Sequence, residues 1–102
     1  MIVKAYLTAF HREGEVKIRP IDIPEDRAAG QDNDGLLSLA FELGQNMFQA
    51  VPGCYSVSVG DVIELPDGSC HRVMGAGFAE LEAGVDPVAL LGTDASDATR
   101  AL

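Results

Sequence analysis

The chain has 102 residues, 47% of them hydrophobic, and a formal net charge of −9. That length suits one domain with a single core, and no apolar run nears the roughly 20 residues that cross a bilayer. The acid excess disfavours direct nucleic-acid binding, which normally uses a basic face.

The charge is uneven. Up to Arg27 the cations and acids cancel, and beyond it only Arg72 and Arg100 oppose a long series of acids. The N-terminus alternates and lacks a basic region followed by an apolar run, so no signal peptide is expected and the cytoplasm is the default location. Cys54 and Cys70 are too few for a disulfide framework.

Residues 2–10 alternate with period two and carry large side chains on both sides, which predicts a central strand. His11 to Gly14 suits a hairpin turn. Glu15 to Pro20 alternates again, and the pattern places Val16 and Ile18 inward with Lys17 and Arg19 outward. Pro20 ends that strand or puts it at an edge. Pro24 to Asp34 reads as a loop with a helical turn at Glu25–Ala29. Asp32, Asn33 and Asp34 offer N-caps for one amphipathic helix from Gly35 to about Gln49. Its apolar face is Leu36, Leu37, Ala40, Phe41, Leu43, Met47 and Phe48. Gly44 within it implies close approach to the sheet.

Short strands follow at Tyr55–Val59, Val62–Leu65, Ser69–Met74 and Phe78–Leu81. A turn or bulge at Gly60-Asp61, a tight turn at Pro66-Asp-Gly68 and a break at Gly75-Ala-Gly77 separate them. The expected fold is therefore α+β: an N-terminal β-hairpin, one amphipathic helix, and short antiparallel strands forming a bent, partly barrel-like sheet. The domain is expected over residues 1–82, with 83–102 a flexible acidic, Ala-rich tail.

Candidate chemistry is sparse. Cys70 and His71 are adjacent, so on a strand they face opposite ways and do not converge on one metal ion. A nucleophilic Cys70 or Cys54 would need a histidine base, and no spacing singles one out. Asp61 and Asp67 fit turn chemistry better than an acid/base pair. Tyr6, Phe10 and Tyr55 with Lys4, Lys17 and Arg19 could form a face for single strands, against the global charge. No catalytic, cofactor or metal site is assigned. Function is instead expected on a solvent face, either the acid row Asp61, Glu64 and Asp67 or the outer side of the first hairpin with Lys17 and Arg19.

Three pieces carry a family likeness: the helix Leu36 to Asn46, the run Tyr55 to Leu65 with Ser58-Val-Gly-Asp-Val62, and Asp67-Gly68, Val73 and Gly77-Phe-Ala-Glu-Leu81. Together they resemble the YodL-like small domain of bacterial plasmids, conjugative elements and phage. The resemblance spans about half the chain and implies work in mobile-element biology, with no activity to carry over. The resulting expectation is a non-enzymatic interaction or regulatory module with a protein partner and no membrane role. The alternatives are an acidic, antirestriction-like decoy for a DNA-processing enzyme, and a small enzyme using Cys70 or His71.

Overall fold

A computed structural model describes residues 1–9 and 17–87. In chain order the elements are β1 (Ile2–Leu7), β2 (Lys17–Asp22), α1 (Glu25–Ala28), α2 (Asn33–Leu43), β3 (Val62–Glu64), β4 (Cys70–Val73) and β5 (Phe78–Glu80). The strands form one antiparallel sheet in the order β2-β1-β3-β4-β5. The expected α+β class, N-terminal hairpin and central β1 are all present. The turn expected at His11–Gly14 lies outside the described residues, as do Phe10 and residues 88–102.

Alternation along β1 creates the core. Val3, Ala5 and Leu7 face α2 and are buried with Ile21, Ile23, Ile63, Leu65 and Val73. From α2, Leu36, Leu37, Ala40 and Leu43 meet them. Each fully buried branched side chain contributes roughly 1.5–3 kcal/mol. On the opposite face Tyr6, Val62 and Leu81 form a smaller cluster, with Cys70 and Val85 packed against it. Among the described residues no helix is long and apolar enough to cross a membrane.

The alternation of β2 is one residue out of phase with expectation. Ile18 is 51% exposed, while Arg19 is buried with Ile21 and Ile23. Pairing decides this: Ala5 lies opposite Arg19 and Val3 opposite Ile21, and directly opposed residues share a face. Two isoleucines at 21 and 23 hold the phase, and Arg19 is carried inward with them.

Asp32 caps α2, its side chain accepting from Gly35 N–H at 2.8 Å. The helix ends at Leu43, short of the expected Gln49. Gly44 caps it through its N–H to Ala40 C=O. A Cβ at Gly44 would lie 2.6 Å from Val57 Cγ2 and 3.1 Å from Ile21 Cδ1, so the expected close approach is real, but it falls at the helix end. Gln45 Nε2 then donates to Phe41 C=O at 2.8 Å and to Val57 C=O at 3.0 Å, tying the last helical turn to the returning chain.

That chain, residues 55–59, is not the predicted strand. Its backbone bonds go to the helix end: Val57 N–H to Gly44 C=O, and the carbonyls of Tyr55 and Val57 to the side chains of Arg19 and Gln45. Backbone groups satisfied by side chains have no need of a neighbouring strand. Pro66-Asp-Gly68 makes the expected tight turn, with Gly68 at φ +88°. The sheet is open, correcting the partly barrel-like expectation. Closure would need β2 to pair onward, and its edge is occupied by Pro20 and by Gln49, which binds both backbone groups of Asp22.

Candidate functional site

Neither of the two expected interaction faces is gathered on the surface: Lys17 and Asp67 are exposed, Glu64 is half-buried, and Arg19 and Asp61 are buried. Lys17 is exposed and its ammonium donates to Gly53 C=O at 2.6 Å. Arg19 is 0% exposed and works inside the fold. Its Nη1 donates to Asn46 Oδ1 at 2.6 Å and to Tyr55 C=O at 2.9 Å, and its Nη2 donates to Gln49 C=O. The planar, five-donor guanidinium suits this role. One side chain thereby gathers three points of the 46–55 loop under the sheet.

Asp61 is also 0% exposed. Its Oδ1 accepts from Ala9 N–H and Tyr55 O–H, and its Oδ2 from Ser58 N–H, each at 2.9 Å. It joins the end of β1 to the 58–61 turn. Burial holds its carboxyl above the ordinary carboxylate range, against the lowering effect of those donors. Glu64 is half-buried on the outer sheet face and accepts from Tyr6 O–H at 3.1 Å. Desolvation, then the bond to Glu64, pushes the Tyr6 phenol up. Of the three acids expected in a row, only Asp67 is exposed.

Asp67 begins a short chain of polar contacts. Ser69 Oγ lies 2.6 Å from Asp67 Oδ1 and 2.8 Å from His71 Nε2. Asn33, at the start of α2, donates to Asp67 Oδ2 at 3.2 Å. These bonds, Ser69's hydroxyl first, hold the Asp67 carboxyl below its usual range. The order of groups matters chemically. A hydroxyl has one proton, and here it goes to the carboxylate, so His71 Nε2 must supply the proton on its side. In a hydrolytic triad the histidine instead accepts from the serine. This arrangement clamps the 67–71 turn to α2, with the Asp67 carboxylate and not His71 as the acceptor of the Ser69 proton.

Cys70 and His71 face opposite ways on β4, as their adjacency on a strand implies. His71 is buried on the α2 face, and Cys70 is half-buried on the other. Desolvation, then the nearby Glu64 carboxylate, pushes the Cys70 thiol up to about 11. Its Sγ is 3.9 Å from Glu64 Oε1. The thiol is therefore almost wholly protonated at neutral pH. Native protein should react with iodoacetamide at Cys70 far more slowly than protein in guanidinium, by about tenfold or more from thiolate fraction alone. Peptide mass mapping measures this, and equal rates would contradict the raised thiol. A cleft of about 290 Å³ lies beside Cys70, with Asp67, Glu80 and Glu82 among its walls. Among the described residues no group of three or more His, Cys, Asp or Glu is arranged to hold a metal ion.

The sequence reading missed one surface feature. Met47 and Phe48, counted there on the helix's apolar face, are 83% and 56% exposed. They project from the loop that Arg19 holds, flanked by Asn46 and Gln49, both of which are fixed by bonds to other elements. Gly44 was the available signal, since glycine after an apolar run is a common helix stop.

Compared with known proteins, the chain matches no family profile, no curated protein and no solved structure.

Proposed function

We propose that this chain is a non-enzymatic protein-interaction module, and that it serves mobile genetic elements, the association that the resemblance to YodL-like domains implies. One observation carries the binding part of this reading: Met47 and Phe48 stand exposed on a loop whose flanks are fixed by Arg19, Asn46 and Gln49. A loop whose flanks are already fixed loses little backbone freedom on docking, and large exposed apolar side chains are the kind that anchor binding hot spots. The partner is a protein with an apolar pocket rimmed by Lys or Arg, since the chain carries a net charge of −9.

A second reading, the acidic decoy, draws on a separate observation. Arg19 and Arg72 are buried, so the described surface exposes ten acids against Lys4, Lys17 and Arg27. The surface is more acidic than the composition alone suggests.

One experiment tests both. Wild-type and Met47→Ser/Phe48→Ser baits are compared for partner capture from cells carrying the element, at low and high salt. The docking reading expects the double variant to keep its melting temperature and to lose about 2 kcal/mol of affinity, roughly thirtyfold. Capture unchanged in the double variant but lost at high salt favours the decoy. Capture unchanged under both conditions refutes both.

A further inference from the structure

The two edges of the sheet are in different states. Antiparallel ladders alternate between residues that bond to the neighbour and residues that point away. In the β1–β2 pair, Ile23 N–H bonds Met1 C=O, and Val3 and Ala5 lie opposite Ile21 and Arg19. Ile18, Pro20 and Asp22 therefore point their backbone groups outward. Pro20 has no N–H to offer. The N–H and C=O of Asp22 are both taken by the Gln49 side-chain amide, at 3.0 and 2.7 Å. That edge is obstructed.

The other edge is unobstructed by the described residues. Met74 N–H bonds Gly77 C=O at 3.0 Å and Leu81 N–H bonds Cys70 C=O at 2.8 Å, with Arg72 opposite Ala79. Phe78 and Glu80 thus direct N–H and C=O groups away from β4, and no described residue bonds them. Such a row is a template for another strand. Beside it an apolar cleft of about 230 Å³, lined by Phe41, Val59, Val73 and Met74, reaches Phe78. Phe78 and Glu80 are two residues apart, so their side chains share a face.

We infer that β5 is a strand-addition edge for an extended basic segment of a partner protein, with an apolar side chain beside Phe78 and a Lys or Arg beside Glu80. Backbone bonds to Phe78 and Glu80 supply affinity, and the cleft and the carboxylates of Glu80 and Glu82 supply specificity. A second copy of this chain is the wrong occupant, because it would bring one net charge of −9 against another. The inference stands on the backbone edge, separate from Met47 and Phe48, so it survives or fails independently of that docking loop.

The test is NMR titration of the ¹⁵N-labelled full chain with the capped peptide Val-Thr-Lys-Thr-Val, whose Val, Lys and Val share one face. Expected are shifts at the amides of residues 78–82, slower hydrogen exchange at Phe78 and Glu80, and equal binding by the Met47→Ser/Phe48→Ser variant. Glu80→Pro blocks a nitrogen that makes no ladder bond, as Pro20 does on β2, so the fold is kept while binding weakens by about tenfold or more. Glu80→Lys leaves the backbone edge intact, weakens binding of this peptide by about fivefold and strengthens binding of its Glu-containing twin. The inference is overturned if millimolar peptide leaves those amides unmoved, or if a peptide N-methylated along its edge binds equally. It is also overturned if protection of Phe78 and Glu80 rises with protein concentration alone, which would assign the edge to a second copy.

Discussion

Replacing Arg19 with Met is expected to lower the unfolding midpoint by more than about 12 °C, at about 3 kcal/mol lost and roughly 4–8 °C per kcal/mol for a domain of this size. Methionine keeps most of the stem and removes the guanidinium. Asn46 Oδ1, Tyr55 C=O and Gln49 C=O then lose their donor together. Each acceptor left without a partner costs on the order of 1 kcal/mol. No acid neutralises Arg19 through any of these bonds, so its charge is solvated by oxygen dipoles, and removing it strands no carboxylate. Arg19→Lys should recover only part of the loss, because a point charge cannot span three acceptors as a planar fork does. Thermal melts of the three proteins measure this. An Arg19→Met midpoint within a few degrees of wild type would mean that the loop is held by its apolar contacts alone. The same substitution should loosen the display of Met47 and Phe48, linking a buried cation to the proposed docking surface.

Asp61→Ala is expected to cost a similar amount, about 3 kcal/mol, because Ala9 N–H, Ser58 N–H and Tyr55 O–H lose one shared acceptor inside the fold. Asp61→Asn should not be a mild change. An amide keeps one oxygen for Ala9 and Tyr55 but turns its NH₂ toward the Ser58 N–H, donor against donor. The pH dependence has a definite sign. Burial raises the folded-state pKa of Asp61, so the native state holds this proton more tightly than the unfolded chain. Between the ordinary aspartate value of about 4 and the raised value, this group's contribution to stability falls as pH rises, and above that it is constant. Asp67 has the opposite sign. Held low by Ser69 and Asn33, it contributes above the ordinary value and loses that contribution as pH falls. Denaturant melts from pH 3 to 7 should therefore show the Asp61→Asn penalty shrinking with rising pH through the acid range. A penalty that grows instead would mean that hydrogen bonding outweighs burial at this carboxylate.

Local signals in the sequence were sufficient for several elements. Val3, Ala5 and Leu7 alternate, Asp32 precedes an apolar periodic run, and Pro66-Asp-Gly68 demands a turn whatever surrounds it. Those elements formed where expected, because period and turn chemistry act over a few residues. Every candidate site residue was likewise visible as a residue type, while its setting was not.

What the sequence determined by itself was the α+β class, the hairpin pairing, the central place of β1, the capped helix and its close approach at Gly44. Only the tertiary structure decided the phase of β2, the early end of α2, the unpaired path of residues 55–59 and the burial of Asp61 and Arg19. The reason is common to these cases. Isoleucines 21 and 23 outweigh Ile18 through pairing with β1, and long polar side chains then supply backbone partners from far along the chain. Arg19 and Gln45 reach over 36 and 12 residues to do so. A periodicity read from neighbouring residues has no access to bonds of that span.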